Sequence, residues 1–509
     1  RCQVDHIGSL RYNAAMFTNE NTVCLILLLI LLAYLATGLL YAIYTPAWQV
    51  PDEPAHYNYV RYLVDNGRFP VLQAGDYPHE YLETLKARHF PPDLSIDPVR
   101  YEFHQPPLYY LLAAPIYELT GGLLLPLRLF SVGLGALLLL VVYRISRDLF
   151  PNHPLLPLAA TAFVATVPMH LAMLAGVNND ALAELLLALA LWLSIRHVMG
   201  LDHGGWQAGL RLGFVLGLLL VTKTTAYVAV PVVFLALLAR WWREWREVPR
   251  PALLPRLLVV LGPALLIALP WYVRNVLVYG WPDILGLRRH DAIVIGQPRT
   301  VDWIAQHGWH NLLERFMRFS FDSFWGVFGW LGVFMDERIY LVLALACIAV
   351  GIGTGVVLWR MAQRWPLSLT PEQRTALGLL VVSGLGTLAG YLGYNVSFVQ
   401  HQGRYLFPAL VPLSLLWAAG LMQALQSTVS RKLALLFLLL GGVWLLLGLK
   451  AGDVDKWCLV VALGYALAFG VSSLVPRRFE LFLLALPYLA LYALDIYALF
   501  AFVVPQLQE

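Results

Sequence analysis

The feature that most constrains this chain is a series of apolar runs, each about as long as a bilayer is thick. A helix needs ~20 residues to cross a hydrocarbon core of ~30 Å. Runs near that length lie at 23–44, 123–145, 154–174, 180–198, 208–222, 224–240, 252–273, 337–359, 374–394, 404–425, 432–449, 457–475 and 479–500. Only 13% of residues are charged, against about 25% in soluble domains. The expectation is an all-α polytopic membrane protein with about 13 transmembrane helices. The net charge of +4 is small and its basic residues fall in short loops, which excludes a nucleic-acid partner.

Those loops orient the chain. With the N-terminus inside, Arg144, Arg147, Arg196, Arg211, Arg240, Arg243, Arg246, Arg250, Arg256, Arg360, Arg364, Arg374, Arg431, Lys432, Arg477 and Arg478 all face the cytoplasm. The long loops 45–122 and 274–336 then fall outside, flanked by Trp48, Trp271, Trp281, Trp325 and Trp330 as interfacial anchors. The expected organisation is a cytoplasmic lead (1–22), an N-terminal module (23–273), the second outer loop and a C-terminal module (337–509). The first run exceeds a signal-peptide core and reads as a retained span. Pro106 to Leu119 is apolar but too short to cross, so it reads as an interfacial or re-entrant helix. The short apolar pieces Phe319–Phe321 and Ser323–Gly326 read the same way.

On this topology, ionisable and amide groups gather at the outer ends of the spans. Asp52, Glu53 and His56 follow the first span, and His104 and Gln105 precede the interfacial helix. Asn178, Asn179 and Asp180 form a tight turn, Lys223 another, Arg274 ends a span, and His401 and Arg404 open one. Such groups need water, a partner or a charged ligand. Each also has an ordinary reading. Asp52, Glu53 or Asp180 can cap a helix, Lys223 can snorkel, Arg274 and Arg404 can meet headgroup phosphates, and the histidines can be satisfied polar residues. Glu53 and His56 share a helical face, but no third residue has metal-ligand spacing. No cofactor follows, although carboxylates beside a phosphate can hold a divalent ion.

Together the groups suit transfer from a phosphate-activated lipid. An acceptor hydroxyl needs a carboxylate to take its proton, and a departing phosphate needs fixed cations. Asp52 can do the first task; Lys223 with Arg404 or Arg274 can do the second. A double displacement needs two carboxylates ~5 Å apart, so one base and a single inversion is the simpler scheme.

The stretches AWQVPDEPAHYNYV, FHQPPLYYLL, GVNNDALAELLLAL, VTKTTAYVAVP, PWYVRNVLVYGWP and QGRYLFPALVPL resemble, in this order, the GT-C membrane glycosyltransferases. The likeness is to their bacterial protein-mannosyltransferase-like branch, which includes the lipid A aminoarabinose transferases. The resemblance implies a GT-C-like fold with interfacial helices in the first outer loop, a polyprenyl-phosphate sugar donor, and a lipid, glycan or protein acceptor. It implies inversion at the periplasmic face of a bacterial inner membrane. It makes Asp52 the expected base and Glu53 its catalytic neighbour, with Asp180, His56 and Asn179 as supporting polar groups and Lys223 on the donor phosphate. Where aminoarabinose transferases carry a lysine before the Pro-rich helix, this chain has His104-Gln105; His104, Arg274 or Arg404 is then expected to fill that role. Two alternatives are a flippase for a lipid-linked sugar and a GT-C-like subunit without activity. A flippase commonly shows repeated halves and a midplane site, which this sequence lacks.

Overall fold

The computed structural model describes residues 20–202, 205–247, 252–363, 369–476 and 479–508. Most of the expected cytoplasmic lead, with Arg250, Arg364, Arg477 and Arg478, lies outside them. Eleven described helices are long and apolar enough to cross a membrane, and twelve if one bent pair counts as a span. The thirteenth expected span corresponds to Trp206–Leu220, a helix of 15 residues. The bent pair is Leu155–Ala165 and Pro168–Leu174, meeting at 67°. Pro168 lacks an N–H and disfavours a helical residue before it, so the helix breaks there.

Lipid tails are as apolar as leucine, so these helices associate through close packing and internal polar contacts. The first span, Glu20–Tyr44, buries Tyr34, Thr37, Gly38 and Tyr41 at helical spacing, with Tyr34 and Gly38 against Val132 of helix Leu124–Leu149. Gly135 makes room there, since a Cβ at that position would lie 1.9 Å from the Tyr34 hydroxyl. Arg128, near the outer end of Leu124–Leu149, is buried. A charge at that depth requires a partner.

The loop 45–122 folds into helices Glu53–Asn66 and His79–Ala87, a 3-10 turn Tyr101–His104, and helix Leu108–Thr120. That last helix has 13 residues and a rise of only about 20 Å. It buries Tyr109, Tyr110 and Ala113 while exposing Leu111, Leu112 and Leu119, the amphipathic division expected of an interfacial element. The second outer loop departs from expectation. Its short apolar pieces are not separate elements; they end one 26-residue helix, Thr300–Trp325, broken only at Gly308 (φ 80°). The apolar side chains at 312, 316 and 319 share one helical face, and Ser323 on the same face is buried.

Candidate active site

Asp52 occupies the capping position of helix Glu53–Asn66 but does not cap it. Its backbone is left-handed (φ 69°, ψ −7°), and its side chain makes no bond to the helix N-terminus. That conformation costs an L-residue roughly 1–2 kcal/mol, which persists only where the surroundings impose it. The carboxylate instead meets donors from two distant segments. The Tyr101 hydroxyl donates to Oδ1 at 2.7 Å, and Arg404 Nη2 donates to Oδ2 at 3.0 Å. The Asp52 side chain keeps 24% of its surface open, enough for a small group to reach it. Burial opposes its ionisation, but Arg404, the Tyr101 hydroxyl, His56 and Lys223 outweigh burial and lower its pKa to about 2.

Arg404 is positioned by its own turn. Its Nε donates to Gln402 Oε1 at 2.6 Å, and Gln402 Nε2 donates to Gln400 Oε1 at 2.6 Å. The preceding Gly403 lies against helix Thr300–Trp325, where its N–H donates to Ser323 Oγ at 2.7 Å. A Cβ on Gly403 would lie 2.2 Å from the Ser320 carbonyl oxygen, so only glycine permits this approach.

Lys223 Nζ pairs with Asp180 Oδ1 at 2.7 Å. The Asp180 carboxylate is free for this because Asn178 Oδ1 accepts its backbone N–H at 2.9 Å. Burial disfavours the Lys223 charge, yet Asp180, Glu102 and Asp52 override it and raise its pKa. Asn179 is fully buried, its amide 3.4 Å from the Thr222 carbonyl and 3.5 Å from Gln105 Oε1 and Tyr110 Oη. It therefore ties the hairpin to the lysine turn and the interfacial helix. His56 stacks on Tyr110 with Nδ1 2.8 Å from its hydroxyl. Burial and then the Lys223 charge lower its pKa to about 3, which leaves a neutral ring.

Three of the expected site residues are engaged in contacts of their own. Glu53 is held in a buried ion pair. It is wholly buried and accepts Arg128 Nε at 2.8 Å, Arg128 Nη2 at 2.7 Å, and the N–H groups of Trp48 and Val177 at 3.0 and 3.2 Å. Arg128 also donates to the carbonyls of Ala42, Thr45 and Pro46, so this pair ties the end of the first span to the loop. His104 is buried as well. Burial, then the neighbouring His290, holds its pKa well below the usual histidine value, and its Nδ1 lies 3.1 Å from the Tyr101 carbonyl. Arg274 is a brace: it donates to the Pro70 carbonyl and to Asn275 Oδ1, and lies over the rings of Trp271 and Tyr279.

Two residues of the cluster escaped the sequence reading, Tyr101 and Glu102. Both lie in the 3-10 turn just before His104 and Gln105. Glu102 is 9% exposed, and its Oε2 has no hydrogen-bond partner among the described residues. Burial, and then the charge of Asp52, raises its pKa to about 7. Among the described residues no group of three or more His, Cys, Asp or Glu side chains is placed to hold a metal ion.

Residues 104–272 match the family model for dolichyl-phosphate-mannose-protein mannosyltransferase. The matched segment contains Asn179, Asp180 and Lys223 but neither Asp52 nor Arg404. No curated protein matches the sequence. Among solved structures, the chain is similar to ArnT from Cupriavidus metallidurans bound to undecaprenyl phosphate, with a TM-score of 0.51 and 17% identity over 96% of this chain and 77% of that one. The oligosaccharyltransferase AglB from Archaeoglobus fulgidus, in complex with an inhibitory peptide and a dolichol-phosphate, gives 0.43 and 15% over 92% and 56%. A third of the chain thus matches a glycosyltransferase family, and its overall fold is that of ArnT.

Proposed function

We propose that the chain moves a sugar from a polyprenyl-phosphate donor to an acceptor hydroxyl, with inversion, at the periplasmic face of a bacterial inner membrane. The observation that carries this reading is the Asp52–Arg404 pair beside the Lys223–Asp180 pair. Asp52 is the base. At rest it is a weak one, because Arg404 stabilises its charge. The donor phosphate competes for the Arg404 and Lys223 cations. As Arg404 turns to the phosphate, Asp52 loses its counter-ion and gains proton affinity as the acceptor arrives. The same cations then stabilise the charge on the departing phosphate. Glu53 is held by Arg128, so Asp52 acts without it, consistent with a single displacement.

An apolar groove of about 520 Å³ supports a lipid-linked donor. It lies among helices Glu337–Ala362, Pro371–Ser397 and Gly403–Ala424, and its lining includes Leu406, two residues from Arg404. Displacing one lipid tail with another yields little net energy, so the groove contributes shape and the phosphate contributes affinity. On this proposal the 23–273 module supplies the base and Lys223, and the 337–509 module supplies Arg404 and most of the groove, with Phe150, His153 and Leu156 of the first module completing its lining. The acceptor is a lipid, a glycan or a protein hydroxyl. Convergence of Asp52, Lys223 and Arg404 at one cluster favours chemistry over the flippase reading.

The test is transfer from a radiolabelled polyprenyl-phosphate sugar by Asp52→Asn in nanodiscs. The variant should still fold, melting somewhat below wild type because Arg404 loses its counter-ion, and lose about 10²–10⁴-fold in turnover. Near wild-type turnover would remove Asp52 as the base.

A further inference from the structure

The Asp52 mechanism leaves one carboxyl of the cluster without a task. Glu102 sits in the turn that also presents Tyr101 to Asp52, and is more than nine-tenths buried. Its Oε2 has no partner among the described residues, so it is not part of a structural ion pair such as Glu53 makes. The Gln105 side chain hydrogen-bonds to the carboxyl, but among the described residues no cation forms an ion pair with it. A buried carboxyl without one is costly as an anion and far less so as a neutral acid.

We propose, resting on the transferase reading above, that Glu102 is a second catalytic carboxyl that holds a proton at rest and gives it to the departing phosphate oxygen. The acceptor oxygen bonds to the anomeric carbon as the bond from that carbon to the phosphate oxygen breaks. The acceptor proton passes to Asp52, and the Glu102 proton passes to the phosphate. After product release the proton on Asp52 returns to Glu102. The net change moves the acceptor proton onto the polyprenyl phosphate, and no other reactant is consumed.

The charged and titratable groups around Glu102 come from several elements. Asp52, Asp180 and Lys223 act on it directly, and Tyr101, Tyr110 and Tyr394 lie within its field. Lys223 and the Gln105 side chain favour the ionised form, but burial and the two aspartates outweigh them, so the acid persists to about pH 7. A phosphate monoester has a second ionisation near 6. The two groups are thus close enough in proton affinity for transfer in either direction.

The experiment is the pH profile of kcat/KM with a polyprenyl-phosphate sugar, comparing wild type with Glu102→Gln. Wild type should fall tenfold per pH unit above about 7. The variant, which keeps the hydrogen-bonding shape, should be about 10²-fold slower at pH 6 and flat from 7 to 9. A donor with a phosphorothioate in place of phosphate has a more acidic leaving group and needs less proton delivery. It should flatten the alkaline limb of the wild type itself, a readout that does not depend on the variant folding. The inference is overturned by an alkaline limb that is unchanged in Glu102→Gln, or unchanged with the phosphorothioate donor. Absence of any transfer by wild type would instead overturn the transferase reading on which it rests.

Discussion

The assignment of Glu53 to the framework can be separated from a catalytic role by removing its partner. In Arg128→Met the Glu53 carboxylate would keep only the Trp48 and Val177 N–H groups, at zero exposure and with no cation. Breaking one partner of a buried pair costs about 3–5 kcal/mol. Three backbone carbonyls at the end of the first span lose their donor as well, each worth about 1–3 kcal/mol if it stays dry. Domains have only about 5–15 kcal/mol of stability, so the single variant should melt well below wild type or fail to accumulate. The double variant Glu53→Gln/Arg128→Met removes both charges, and replacing a whole buried pair is often close to neutral. It should recover most of the melting temperature, measured by differential scanning fluorimetry in detergent, and with it most of the transfer activity. A double variant that is stable yet inactive would refute the structural reading and return Glu53 to the chemistry.

The cation side of the site has its own test. Gly403→Ala places a methyl 2.2 Å from the Ser320 carbonyl and 2.4 Å from Phe324 N, both backbone atoms. Overpacking of this kind costs about 1–3 kcal/mol, and displacing the Arg404 turn should raise donor KM more than a control Gly390→Ala, whose surroundings are open. The pH dependence of stability should show two opposed contributions. Asp52, with its pKa lowered to about 2, stabilises the fold above pH about 4, and that stability is lost as pH falls towards 2. Glu102, raised to about 7, contributes fully below about 4.5 and loses its contribution as pH rises through 7, so Glu102→Gln should melt less steeply with pH across that upper window.

The spans were legible because bilayer thickness and 3.6-residue periodicity leave few alternatives to a helix. Lys223, Asp180 and Arg404 were legible for a related reason, since charge among apolar neighbours is costly and so conspicuous. The residues alone locate Asp52 and Glu53, and only the family resemblance ranks Asp52 as the base. Adjacent residues diverge by about a quarter turn, and the left-handed backbone that turns one outwards leaves no mark in composition. Glu102 lay in a polar loop where a glutamate is ordinary, and only the packing around the 3-10 turn makes it unusual. Arg128 carried a readable signal, an arginine inside the apolar run LLPLRLF, that the positive-inside count does not use. Arg274 and His104 had suitable chemistry in the sequence, but tertiary contacts hold the first elsewhere and keep the second uncharged.

The Asp52–Arg404 pair joins residues 352 positions apart. Ribosomes add about 5–20 residues per second and N-terminal parts fold first. Asp52, Asp180 and Lys223 are therefore made well before their last partner, which follows Asp52 by about 20–70 s at that rate. During that interval the half-built protein has a base without its counter-ion and lacks the groove formed with the later helices. On the proposed mechanism, the nascent chain cannot yet clamp the donor phosphate. Catalytic competence thus arrives late in synthesis, when the QGRYLFP turn docks onto helix Thr300–Trp325, and chains truncated before that turn should be membrane-inserted but silent.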